Sequence, residues 1–341
     1  MVKDMRRREF LQLAAFFAAA VALDAACPGV VRAQLAAGRA SPPTALPASD
    51  AQNVDAIGHA SNFTAIYQDP QLKAAFFQFL LHVFHLFPEE KFHKLLADVT
   101  LAGRSDKDIY RVAQSRLGEI KPLLADVRYA LPALAQQKAE MARQTMDLLG
   151  SGRKINGYME IGTTGRYISK FRASVELTGE VVLLHTDAPT YSPADIVERA
   201  QLGKLGRYVS LNGYAPVPAS QVADRSVDLI SNFIGFHHSP PARRDAFVAS
   251  LHRVLRPGGR MIVRDHDVTT PQMNRMVALA HDVFNLGLGT AWAVNQAEIR
   301  NWTSLAQLTA YVETCGFKRT PKTLYQPGDP TKNALIEFIR V

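Results

Sequence analysis

The sequence predicts an α/β protein in which a mostly parallel sheet, closed by an antiparallel C-terminal hairpin, follows an N-terminal helical region. Three observations predict it. From Lys154 onward, apolar β-rich runs alternate with helical stretches, the pattern of a parallel sheet. The chain then ends in two strand-like runs around a Pro/Gly loop, "FKRTPKTLYQPGDPTKNALIEFIRV". Before Lys154 the apolar residues follow the 3.6-residue period, with helix start and stop signals at the ends of the runs. At 341 residues, 47% of them hydrophobic, the chain has ample material for a core.

The N-terminus reads as an address rather than as part of the fold. Arg6, Arg7 and Arg8 precede an Ala/Phe/Leu run that continues to about Ala26. The run is short for a bilayer span, and Asp24 interrupts it. "RRREFLQ" resembles the twin-arginine export signal of bacteria, with Arg7, Arg8, Phe10 and Leu11 on its motif positions. Val31 and Ala33 suit a small-residue cleavage site. The resemblance implies an export translocase as partner, a periplasmic mature chain starting near Gln34, and no stable membrane span in that chain. One alternative is an uncleaved hydrophobic anchor that tethers the domain on the cytoplasmic side. Another is a lipid-modified Cys27, although Asp24 stands where that signal wants an apolar residue.

Loss of residues 1–33 removes five basic and three acidic residues and takes the formal charge from +8 to +6. The charge is mild and unclustered, so nucleic acid is not expected as a partner. Cys315 would be the only cysteine left, which excludes an internal disulfide. It shares a helical face with Leu305, Leu308 and Val312 and reads as core.

Residues 34–58, rich in Ala, Pro and Ser, read as a flexible linker, and 59–152 as a helical cap region. "DPQLKAAFFQFLLHVFHLFP" predicts a helix with Asp69 as N-cap, Pro70 at its first position and Pro88 as its stop. Leu72, Phe76, Phe79, Leu80, Val83, Phe84 and Phe87 form its apolar face. His82 and His85 lie opposite, as a solvated stripe rather than a metal pair. Further helices are expected from Ser105 to Lys121 and from about Ala133 to Leu149, before a boundary at "GSG" (150–152).

The expected strands are "INGYMEI", "EVVLLHT", "GRYVSL", "SVDLISNF" and "GRMIVRD", with "PPARRDAFVASLHRVL" as the clearest helix, closed by Pro257, Gly258 and Gly259. Helices opening at Pro271 and near Ser304 precede the hairpin. Ligands of such a sheet bind beyond the carboxyl ends of the strands, where strand order reverses. The first strand ends in Glu160-Ile161-Gly162 and turns through Thr163, Thr164 and Gly165. A dinucleotide site would want glycine where Glu160 stands, and a carboxylate there would repel a pyrophosphate.

The acid and glycine of this turn, with "DRSVDLISNFIGFHH" and "LHRVLRPGGRMIVRDHD" at these spacings, resemble the class I S-adenosylmethionine-dependent methyltransferases of small molecules. Glu160 and Gly162 match the family's first motif. Thr164 and Arg166 stand where its next two glycines usually stand, with Gly165 displaced by one. The resemblance covers about residues 154–341 and implies a Rossmann-like methyltransferase domain over 153–341. It further implies S-adenosyl-L-methionine as cofactor and a small-molecule methyl acceptor. Carried over by position, Glu160, Gly162, Thr163, Thr164 and Gly165 form the cofactor loop. Asp187 stands for the acid that accepts the ribose hydroxyls, bonds typically worth ~1.5–3 kcal/mol each. Asn212 and Gly213 border the adenine, and Asn232 lies near the methionine. Asp187 also reads as a turn residue before "APTYSP", and Asp228 as structural.

Methyl transfer is an in-line displacement at a sulfonium, so the leaving group needs no acid. Alignment and, for some acceptors, a general base are what the protein must supply. His237 and His238 follow the fourth strand, and Asp265, His266 and Asp267 the fifth, which brings both groups to one crevice. His281 lies between Val277 and Phe284 on an apolar helix face and points the same way. General-base catalysis by His237, His238, Asp265 or His266 is the expectation. The same residues also suit a divalent metal, but no spacing among them is diagnostic, so none is assigned. Two other classes stay open: a binding protein that kept the fold without turnover, and a nicotinamide-dependent oxidoreductase, disfavoured by Glu160 and the hairpin.

Overall fold

The computed structural model describes residues 61–102, 105–121, 129, 131–150 and 152–341. The expected export signal and linker lie outside the described residues. Among these residues no helix is long and apolar enough to cross a membrane.

Helices α1 (Asn62–Tyr67) and α2 (Pro70–Phe79) open the chain, and Asp69 caps α2 by accepting from the N–H groups of Gln71 and Leu72. The expected run to Pro88 does not persist as α-helix. A π turn (Leu80–Phe84) follows, and His85 ends it in the left-handed region at φ 46°. The turn brings Phe84 into the core, where it stacks on Phe92 with ring centroids 4.9 Å apart. Packing of the wide aromatic face thus overrides local helix continuation. His82 is exposed beside Gln78 and His85 pairs with Glu89, as a polar stripe should.

Helices α3 (Glu89–Ala102), α4 (Asp106–Ile120, capped by Ser105) and α5 (Leu131–Leu149) complete the region. The apolar faces of α1 to α4 enclose Phe63, Phe76, Phe92 and Ile109. That cluster is completed by Met276, Leu279, Val283 and Leu286 of α9 (Pro271–Gly287). Helix α5 departs from its neighbours and covers a face of the sheet, packing Met141, Leu148 and Leu149 against Tyr158, Leu183 and Leu229.

The sheet comprises β1 (Lys154–Ile161), β2 (Glu176–His185), β3 (Arg207–Ser210), β4 (Val227–Asn232), β5 (Leu255–His266), β6 (Phe317–Tyr325) and β7 (Asn333–Arg340). Their order is β3-β2-β1-β4-β5-β7-β6, with β1 to β5 parallel and β7 antiparallel to both neighbours. Short helices α6 (Ile168–Phe171) and α7 (Pro193–Arg199) follow β1 and β2. The short α10 (Trp292–Gln296) follows α9, and the opposite face from α5 is covered by α8 (Pro241–Val254) and α11 (Leu305–Thr314), which bury Phe247, Leu251, Leu308 and Val312. The Pro257-Gly258-Gly259 turn is absorbed into β5 as a bulge, since Val227 pairs with Leu255 but Leu229 with Arg260. Chain direction across the sheet reverses between β1 and β4, which places the ligand crevice beyond Ile161 and Asn232.

Candidate functional site

The first half of the site is the loop after β1. Glu160, only 1% exposed, accepts hydrogen bonds from the hydroxyls of Thr163 and Tyr158 and from the backbone N–H of Tyr167. Burial raises its carboxyl above the ordinary range, and these bonds offset part of that rise. Thr163 in turn accepts from the N–H groups of Gly165 and Arg166 through its Oγ1. The acid is therefore the loop's internal anchor and does not face the crevice. Gly162 turns the chain at φ 83°, and a Cβ there would meet Ile234 at 2.3 Å, so a side chain is excluded.

Thr164 Oγ1, Arg166 Nε and both amide atoms of Asn232 are buried without a hydrogen-bond partner. Buried polar atoms are almost always paired, so these groups are candidates to contact a polar ligand. Sequence reasoning missed two charged neighbours of this loop. Glu198 of α7 lies 3.4 Å from Arg166, and Lys138 of α5 donates to the carbonyl of Val197 at 3.1 Å. Burial, then the positive Arg166, lowers the Lys138 ammonium to about 7. Neither carries a motif; only the docking of α5 on the sheet brings Lys138 here.

Asp187 follows β2 with its side chain exposed, and its backbone lies against His185 Nδ1, which accepts from its N–H or donates to its carbonyl according to the ring tautomer. Asn212 and Gly213 follow β3 at φ 43° and 60°, and both of their carbonyls accept from Arg243. Asp228 accepts from Asn156 N–H and Arg256 at the opposite end of the strands, a structural role as expected.

The second half lies beyond β4 and β5. The rings of His237 and His238 are 4.1 Å apart, and His281 of α9 is 5.3 Å from His237. His266 is 5.5 Å from both His237 and His281, and Trp302 stands 4.9 Å from His281. Asp265 accepts from His237 Nδ1 at 2.6 Å and from the backbone N–H groups of Phe236 and His266, each at 2.9 Å. Burial alone would raise the Asp265 carboxyl, but the charge and hydrogen bond of His237 outweigh it and hold the acid below the usual range. A carboxylate so held orients a partner and is a poor proton acceptor, which leaves His237 as the group it presents.

Burial, then the neighbouring His237, lowers His238 to about 3 and His266 to about 4, and burial holds His281 well below its ordinary value. These three imidazoles are therefore neutral at physiological pH. Gly235, at φ 80°, permits the arrangement, because a Cβ there would meet His237 Nδ1 at 2.6 Å and Asp265 Oδ2 at 2.9 Å. Asp267 belongs elsewhere: it accepts from the N–H of Leu305 at the start of α11 and from the Tyr325 hydroxyl. The sequence also gave no sign of Glu298, whose carboxylate lies 3.6 Å from His238 and 3.8 Å from His281 and is held by Arg300.

Residues 161–263 match the model of a family described as a methyltransferase domain, a span that runs from the end of β1 into β5. No curated protein matches the chain. Several solved structures are similar at low identity. One is a 1,6-didemethyltoxoflavin-N1-methyltransferase from Burkholderia thailandensis with S-adenosylhomocysteine bound, at 14% identity over 61% of this chain and 79% of that one, with a TM-score of 0.40. Another is an O-methyltransferase family 2 protein from Planctomyces limnophilus in complex with apigenin, at 13%, 83% and 97%, with a TM-score of 0.43. A third is the CurJ carbon methyltransferase, at 16%, 82% and 70%, with a TM-score of 0.40.

Proposed function

We propose that the chain transfers a methyl group from S-adenosylmethionine to a small-molecule acceptor carrying an O, N or C nucleophile. The observation that carries this reading is the acid-anchored loop 160–166 beside buried, unpartnered polar atoms, at the start of the span matched as a methyltransferase domain. Gly162, Thr163, Thr164 and Gly165 would hold the methionine part, with Arg166 and Asn232 supplying the polar atoms that need partners. Asp187, exposed at the end of β2, suits the ribose hydroxyls, and Asn212 and Gly213 suit the adenine edge. The cofactor supplies an electrophilic methyl on sulfur when bound. The chain's own work is to align the acceptor against it, which alone is worth ~7–11 kcal/mol of barrier, and to hold the acceptor at the histidine cluster.

S-adenosylhomocysteine or S-adenosylmethionine at a hundredfold excess over its Kd should stabilise the protein by about 2.7 kcal/mol in thermal melts. NAD should produce no shift, and Asp187→Ala should weaken the binding of both methionine derivatives. A shift with NAD and with neither derivative would overturn the reading.

The twin-arginine resemblance supports export to the periplasm. Such signals carry folded proteins, so the cofactor would cross already bound. In cell fractionation, the mature chain is expected in the periplasm with its N-terminus near Gln34, and Arg7→Lys/Arg8→Lys should keep it inside. An intact N-terminus confined to cytoplasmic fractions would refute export.

A further inference from the structure

We propose that His237, His238 and His281 form a binding site for a divalent transition-metal ion such as zinc, with His266 as a further ligand within reach. One ring nitrogen from each of the three lies within 4.8 Å of the others.

A carbonyl or an ionised carboxylate can only accept, so a ring nitrogen bonded to one carries the proton. His237 Nδ1 faces the Asp265 carboxylate, His238 Nδ1 the carbonyl of Ile299 at 3.1 Å, and His266 Nδ1 the carbonyl of Thr331 at 2.9 Å. Each of these three rings thus carries a proton on Nδ1, which leaves Nε2 as the nitrogen available to a metal. His237 Nε2 is buried and has no hydrogen-bond partner at all. His281 Nε2 lies 3.4 Å from His266 Nε2, while its Nδ1 is 3.8 Å from the Glu298 carboxylate, beyond hydrogen-bond distance. With His266 protonated on Nδ1, the two nitrogens are joined either by a proton on His281 Nε2 or by a bound cation.

Tetrahedral zinc with Zn–N bonds of ~2.0–2.1 Å keeps its ligand nitrogens about 3.3 Å apart. The His266–His281 spacing matches that distance, and the nitrogens of His237, His238 and His281, within 4.8 Å of one another, would draw together around an ion. Metal-bound histidines characteristically give their second N–H to a carboxylate or a backbone carbonyl, which fixes the tautomer and turns the other nitrogen to the metal. Asp265, Ile299 and Thr331 do so for His237, His238 and His266. Imidazole donors without thiolate select zinc, copper, nickel or iron over magnesium or calcium. The site stands on this geometry and not on the methyl-transfer reading.

The test uses the full chain, dialysed against a chelator and titrated with Zn²⁺ by calorimetry and with Co²⁺ by visible absorption. One ion per chain is expected, with the d–d bands of a four- or five-coordinate imidazole site for cobalt. His237→Ala and His281→Ala should each lower affinity at least ~10-fold, while His82→Ala, exposed on the π turn, should leave it unchanged. Anomalous diffraction at the zinc edge, from crystals of the unaltered protein grown with zinc, should place the ion on His237 Nε2. This guards against variants that fail to fold. Absence of binding, or binding untouched by both cluster variants, would overturn the site. S-adenosylhomocysteine melts on the same metal-free samples report on the cofactor site separately, so either proposal can fail alone.

Discussion

Asp265→Ala is expected to be among the most damaging single substitutions in the protein. Asp265 and His237 are each about 5% exposed and joined at 2.6 Å, and the same carboxylate satisfies two backbone N–H groups at the end of β4 and β5. Removing the carboxylate leaves the His237 Nδ1–H and two backbone N–H groups buried and unpaired, at about 1–3 kcal/mol for each stranded donor. Urea unfolding should show that loss. Asp265→Asn separates stability from function. It preserves the shape but replaces one acceptor oxygen with a donor, so the negative charge that holds and orients His237 is lost whichever way the amide turns. Release of S-adenosylhomocysteine, followed over a panel of O, N and C nucleophiles, should fall by roughly 10²–10⁴-fold, while S-adenosylhomocysteine affinity is retained. Full turnover in the Asn variant would remove the histidine cluster from the chemistry.

Glu160 should show the opposite division of labour. Glu160→Ala deletes the acceptor for Thr163, Tyr158 and Tyr167, and stranding a buried donor costs about 1–3 kcal/mol per group. The loop then loses its anchor, and binding of S-adenosylmethionine should weaken at least ~10-fold, with no direct effect on the histidine cluster. Glu160→Gln tests the charge alone. Burial raises the carboxyl of Glu160 in the folded state, so ionising it opposes folding. Relative to the Gln variant, the unaltered protein should be most stable below the ordinary carboxylate range. It should lose that advantage as pH rises through the raised folded value. Denaturant unfolding of both proteins at acidic and neutral pH gives the sign. An advantage that grows with pH would mean that the hydrogen bonds outweigh burial and hold the group ionised.

Much of the scaffold was legible because it is written in local signals. Asp69 and Pro70 start α2, Ser105 caps α4, Pro271 opens α9 and Ser304 caps α11, each through bonds or φ restrictions within a few residues. The strands from β1 to β5 and the terminal hairpin followed from apolar runs and their punctuation. Legibility failed where distant packing decides a local conformation. The Phe-rich face of α2 yields to a π turn because Phe84 stacks on Phe92, and the Pro-Gly-Gly turn is absorbed as a bulge in β5.

The candidate site divides along the same line. By itself the sequence determined that an acid and glycine end β1, that histidines follow β4, and that Asp265 and His266 follow β5. It also determined that His281 lies on the inward face of α9. Only the tertiary structure decided that Asp265 serves His237 while Asp267 turns away to α11 and Tyr325. It also placed Glu298 and Lys138, which belong to no motif, beside the two halves of the site. The physical reason is that four imidazoles from three separate segments converge only once α9 has docked between the helical region and the sheet. Sequence spacing has no access to that docking, because the apolar contacts that drive it join residues near position 80 to residues near 280.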